Sequence, residues 1–231
     1  MAYVEKNGKA LQIVIHHLKK SGDGLEFVLF PMIHLGTQEF YDEVSQRLDA
    51  CDLVLVEGIK SKRVSLMTLP YRLAAKSVRL NLVSQHRALK TSSFKHKLVA
   101  SDLEGHSFAE GWSNLRLRWR IEFHVIEPLL ALYLFFFVNR EKLANYILLK
   151  DSSAEDERRD EDLENFARLL GGDRNQILIQ HIKQLYNTRK NEDIKIAIPY
   201  GAKHMSRILK FLINRLGYRV IQREWVIVFD F

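Results

Sequence analysis

Four short apolar runs punctuate the chain, and each stops on a polar residue or a glycine: EFVLFPMIH at 26–34, DLVLVEG at 52–58, LVASD at 98–102 and IKIAIPYG at 194–201. Unbroken runs of this length fit strands covered on both faces, because both rows of side chains then meet a core. Helical stretches lie between them. In GTQEFYDEVSQRLDAC, Thr37 can cap a helix in which Phe40, Val44 and Leu48 recur every four residues. Strands alternating with helices specify an α/β protein. The amino end adds a hairpin, since ALQIVIHHLKK and LEFVLFPMIHL are β-rich and joined by the turn-forming SGDG, and YRVIQREWVIVFDF closes the chain as one or two further strands. The expected architecture is a mixed, mainly parallel central sheet with antiparallel edge strands, helices on both faces and a helical insertion.

At 231 residues, 47% of them hydrophobic, the chain can bury about 70% of its unfolded surface in one core, so residues 1–231 read as a single domain with the insertion at about 106–170. Within it, VIEPLLALYLFFFV at 125–138 is the most apolar stretch. A span needs about 20 apolar residues, whereas Glu127, Pro128 and Asn139-Arg140 bracket this run closely. It is read as core or inter-helix packing, with a peripheral membrane or oligomer contact and a true span as alternatives. DSSAEDERRDEDLE at 151–164 mixes both charge signs and reads as exposed. Thirty-five Lys and Arg against 28 Asp and Glu leave a net charge of +7, which favours acidic partners without choosing among them. Arg116, Arg118 and Arg120 alternate with apolar residues, but no nucleic-acid-binding motif accompanies them, so nucleic acid is not an expected partner. Cys51, alone, cannot form an internal disulfide, and the amino terminus lacks the basic-then-apolar order of a secretion signal; a cytoplasmic location is expected.

In open α/β sheets, ligands bind beyond the carboxyl ends of the strands, where loops from distant sequence converge. The last polar group of each run is then informative: His34, Glu57, Asp102 and His204. Two imidazoles and two carboxylates could hold a divalent metal ion that activates water. Without metal, a carboxylate could orient an imidazole acting as general base. Singly, each residue has a structural explanation, such as a satisfied strand-end histidine or a helix cap. Tyr200 beside the last run could donate to an oxyanion or simply pack, and Gly201 lets the backbone turn there. His106 is a further candidate ligand, whereas His16, His17, His86, His96, His124 and His181 follow no strand-end logic and read as surface or packing residues. HExxH, paired CxxC, GxSxG, GxGxxG and GxxxxGK signatures are absent.

In this order, the segments resemble the TraB/GumN/Tiki family, within a broader erythromycin-esterase/ChaN-like group. FVLFPMIHLGTQEF is similar to the family's first motif, a strand ending in Gly-x-x-His before a helix, with His34 at the histidine position. CDLVLVEGI is similar to the Val-x-Val-Glu strand and puts Glu57 in it; LVASD approximates the Ala-Asp strand end at Asp102; GGDRNQILIQHIKQLY supplies an Arg-Asn pair as Arg174 and Asn175; PYGAKHMSRILKFLINRLGYRV matches the closing Gly-x-x-His, helix and strand. Pro31 replaces the usual first glycine, which implies a differently shaped first loop. The resemblance covers residues 27–58, 98–103 and 171–220. It implies a metal-dependent hydrolase acting on peptide bonds, with His34, Glu57 and His204 as catalytic and metal-binding residues and Asp102 as a fourth ligand or orienting group. Arg174 would stabilise an oxyanion or anchor a substrate carboxylate, unless it is buried against Glu57 or Asp102, and Asn175 would support the site or bind substrate. The alternative is a non-catalytic binding or regulatory protein that uses the same pocket or the basic, apolar helical surface.

Overall fold

The structure, a computed structural model, describes residues 2–56, 69–92, 95–100, 117–152 and 173–231. Its centre is a seven-stranded mixed sheet. The expected hairpin forms between β2 (Ala10–Lys19) and β3 (Glu26–Met32), with Leu29 opposite His16 and Glu26 opposite Lys19. One edge of β2 carries β9 (Arg219–Asp230) along its whole length; the other is shared by β1 (Val4–Asn7) in its first half and β3 in its second. Beyond β3 the order continues through β8 (Lys195–Gly201), β5 (Leu53–Val56) and β7 (Leu98–Ala100), all parallel. Because β1, β3 and β9 each run against β2, β2 alone opposes the direction of the other six strands. The chain leaves β3 through a two-stranded ladder of β4 (Leu35–Gly36) with β6 (Val83–Ser84) and enters α1 (Gln38–Asp49).

Local chemistry accounts for the element boundaries. Thr37 caps α1, its Oγ1 accepting from the Phe40 N–H at 3.2 Å. Asp52 aligns β5 with β8 by a reciprocal pair: its N–H donates to the Lys195 carbonyl at 2.9 Å, and its Oδ2 accepts from the Lys195 N–H at 2.7 Å. The helix after β8, α7 (Ala202–Leu216), ends at Gly217, whose φ of 78° is the left-handed conformation that lets its N–H reach Ile213 O at 3.1 Å while Tyr218 N–H reaches Leu212 O at 3.0 Å.

Both faces of the sheet are covered. On one, Phe40, Tyr41, Val44 and Leu48 of α1 pack on Val28, Phe30 and Val54. On the other, Leu178 and Ile182 of α6 (Asp173–Arg189) join Met205, Ile208 and Leu212 of α7 over Phe27, Leu29, Ile196 and Ile198. Each fully buried side chain of this size contributes about 1.5–3 kcal/mol relative to exposure. The described part of the helical region comprises α4 (Leu117–Phe137) and α5 (Arg140–Ser152), and it is no detached cap: Leu134, Val138, Leu143 and Ala144 belong to the same buried cluster as α1. Among the described residues, the short α2 (Leu69–Ala74) and α3 (Gln85–Ala88) complete the helices of this face.

Candidate active site

The strand ends that carry the candidate residues are neighbours. Met32 at the end of β3 is level with Gly201 at the end of β8, and Val56 at the end of β5 is level with Ala100 at the end of β7. The connections leaving β3 and β8 diverge. From β3 the chain passes to α1 on one face and on to β5; from β8 it passes to α7 on the other face and on to β9. Adjacent parallel strands whose connections part in this way define the switch point at which α/β sheets take ligands.

His204 lies in the first turn of α7, just past this edge, and is 1% exposed. Its Nδ1 lies 2.8 Å from Oδ1 of Asn175, which is itself buried in the first turn of α6. With the amide oxygen as acceptor, Nδ1 carries the proton and Nε2 the lone pair. Two helix amino termini thus meet at one bond, a setting that favours negative charge. Tyr200 is fully buried, edge-on to the His204 ring at 6.0 Å, and its hydroxyl reaches the Val56 carbonyl at 3.4 Å. It packs across the boundary between β8 and β5.

His34 has a different setting. It is exposed, its ring stacks obliquely on Tyr71 of α2 at 4.7 Å, and its carbonyl accepts from the Gln85 N–H at 3.0 Å. Neither Tyr71 nor Gln85 belongs to a periodic apolar stretch, so nothing in the sequence marks them as neighbours of His34. Gly36, two residues on, is required by close approach: a Cβ there would lie 2.8 Å from Phe40 Cδ1 and 3.2 Å from Val228 Cγ1. Pro31 itself is inside β3, paired with Tyr200, ahead of the loop. Gly201, with φ −51° and ψ 139°, adopts a conformation open to any residue, so a need for backbone freedom does not explain it.

Glu57, Asp102 and His106 lie outside the described residues, as does the side chain of Arg174. Among the described residues no cluster of three or more His, Cys, Asp or Glu could hold a metal ion. One feature nevertheless suits a metal ligand: His204 has its outer nitrogen held by Asn175, the arrangement that fixes the tautomer of ligating histidines. A separate open cleft of about 380 Å³ lies on the solvent side of α6 and α7, lined by Gln176, Arg207, Lys210, Phe211 and Arg215 among others, and no strand-end residue contributes to it. No family model, curated protein or solved structure matches the chain.

Proposed function

We propose that the chain is a metal-dependent hydrolase of TraB/GumN/Tiki type, acting on peptide bonds at the carboxyl ends of β3, β8 and β5. The observation that carries this reading is the Asn175–His204 bond at the switch point, where the sequence also brings the chain to Glu57 one residue past β5 and to Asp102 two past β7. Asn175 fixes the His204 tautomer, so that Nε2 is the nitrogen able to accept a proton or bind a cation. A divalent ion held by His204 with Glu57, Asp102 and His34 would supply Lewis acidity to water and to the substrate carbonyl. The chain's own part is to orient that water, take up its proton and offset the negative charge that develops on the carbonyl oxygen. Arg174, adjacent to Asn175, is the cation assigned to that oxygen.

The test is peptide hydrolysis and bound-metal content for wild type, His204→Gln, Asn175→Ala, His34→Ala and Glu57→Gln, each with its thermal unfolding curve. His204→Gln and Glu57→Gln should lower turnover by about 10²–10⁴-fold, the usual contribution of a positioned acid–base group. Asn175→Ala should shift the pH profile as well as the rate, because it frees the ring to change tautomer. If the His204 and Asn175 variants lose only thermal stability, with hydrolysis and metal content unchanged, the pair is a structural one and the reading fails.

A further inference from the structure

The largest feature unconnected with the strand ends is the outer face of α4. Leu117, Ile121, Val125, Leu129, Leu132 and Phe136 follow one another at intervals of three or four, and with Ile126, Tyr133 and Phe137 they are 49–65% exposed. At 3.6 residues per turn these nine side chains sweep about 200° of the helix, while Ala131, Leu134 and Val138 turn to the core. We infer that this face is the interface of a twofold homodimer, with α4 of one chain lying antiparallel on α4 of the second.

Three observations select a second copy. At roughly 100 Å² from each half-exposed side chain, the face offers on the order of 900 Å², the ~800 Å² per partner of a standard interface. Its two halves complement each other: the amino-terminal half presents aliphatic Ile121 and Val125, the carboxyl-terminal half aromatic Tyr133, Phe136 and Phe137. A twofold axis near Leu129 sets Ile121 against Phe137 and Val125 against Tyr133, and an isologous contact makes each such match twice. A bilayer span is not on offer, since among the described residues no helix is long and apolar enough to cross a membrane.

Light scattering on the full chain across a dilution series should give twice 27.0 kDa, falling to the single mass only at high dilution. Leu129→Glu and Phe136→Asp, both on exposed positions, should each raise the dimer dissociation constant by about 30-fold or more with the circular dichroism spectrum unchanged. Leu129→Cys should cross-link to its own copy under mild oxidation, and Leu117→Cys should not, because it would face the aromatic end of the second chain; the native Cys51 is buried and does not compete. A monomer at every concentration overturns the proposal, as does a dimer indifferent to both acidic substitutions or one that cross-links through Leu117→Cys instead. A monomer that floats with anionic vesicles through this same face overturns it in favour of a lipid surface.

Discussion

Removing His16 should improve acid tolerance. It is fully buried on β2, its ring 5.5 Å from that of Tyr3, and neither of its nitrogens has a hydrogen-bond partner among the described residues. Burial pushes its pKa below 6.5, and the positive charge of Arg223, opposite it on β9, pushes the same way; the Val14 backbone and Glu5 pull weakly against them. Leaving a buried polar group unpaired costs about 1–3 kcal/mol in proteins. His16→Leu removes that cost and gives up the ring contact with Tyr3, worth about 0.5–1.5 kcal/mol. The difference between the two ranges centres on a net gain of about 1 kcal/mol at pH 7.5.

The pH dependence follows from the direction of the shift. Above pH 6.5 the imidazole is neutral in both states and the shift contributes nothing. As pH falls below 6.5, the unfolded chain takes up a proton that the folded chain refuses, and wild type loses up to about 1.4 kcal/mol per pH unit until the lowered folded pKa is reached. The leucine variant has no such loss, so the gap between the two should widen from pH 7.5 to 5.5. Ionisable groups common to both proteins cancel in the difference. Urea unfolding followed by tryptophan fluorescence measures the gap, and Arg223→Gln, which removes one of the causes, should narrow it. A gap that stays constant between the two pH values, or a leucine variant less stable at both, refutes the reasoning.

Cys51 is buried, with its thiol pushed up to about 11 chiefly by burial, so it should resist thiol reagents at neutral pH and react promptly in denaturant; fast native labelling, read by absorbance, would contradict this. Gly217→Ala should cost about 1 kcal/mol in urea unfolding, because alanine is strained at φ 78° whatever the surrounding space, and an unchanged midpoint would mean that the carboxyl end of α7 relaxes freely.

What the sequence revealed was local. Thr37 and the Phe40, Val44, Leu48 spacing announce α1, SGDG announces the hairpin, and the apolar runs announce β5, β7 and β8, because each signal resides within a few residues of the structure it specifies. Strand order carries no such signal. That β8 enters between β3 and β5 depends on contacts made across some 140–170 residues, and parallel neighbours share no turn. The site divides in the same way. His204 was legible as a strand-end histidine, but Asn175 stood out only through the resemblance, since an asparagine early in a helix otherwise reads as a cap. His34 was legible as a position, and its contact with Tyr71 was not, because α2 has too few residues to show a period.

The two prolines in the parallel strands explain why the sheet opens where it does. The β2–β3 ladder stops at Leu29, and Pro31 follows two residues later; the β5–β8 ladder stops at Ala197, and Pro199 follows two residues later. Between them β3 and β8 stay paired to their last residues, Phe30 with Pro199 and Pro31 with Tyr200. A proline offers no N–H, so in a central strand it is tolerated where a flanking ladder has already ended. On one side, β1 takes over the freed edge of β2, the Val14 N–H passing to the Tyr3 carbonyl. On the other, Tyr200 turns its hydroxyl to the Val56 carbonyl in place of backbone pairing. The β3–β8 pair is thus released from both neighbours over its final turn of sequence, at the edge where the connections part to opposite faces and His204 meets Asn175. Pro31 therefore acts on how far the sheet stays zipped, before the loop that carries His34 begins.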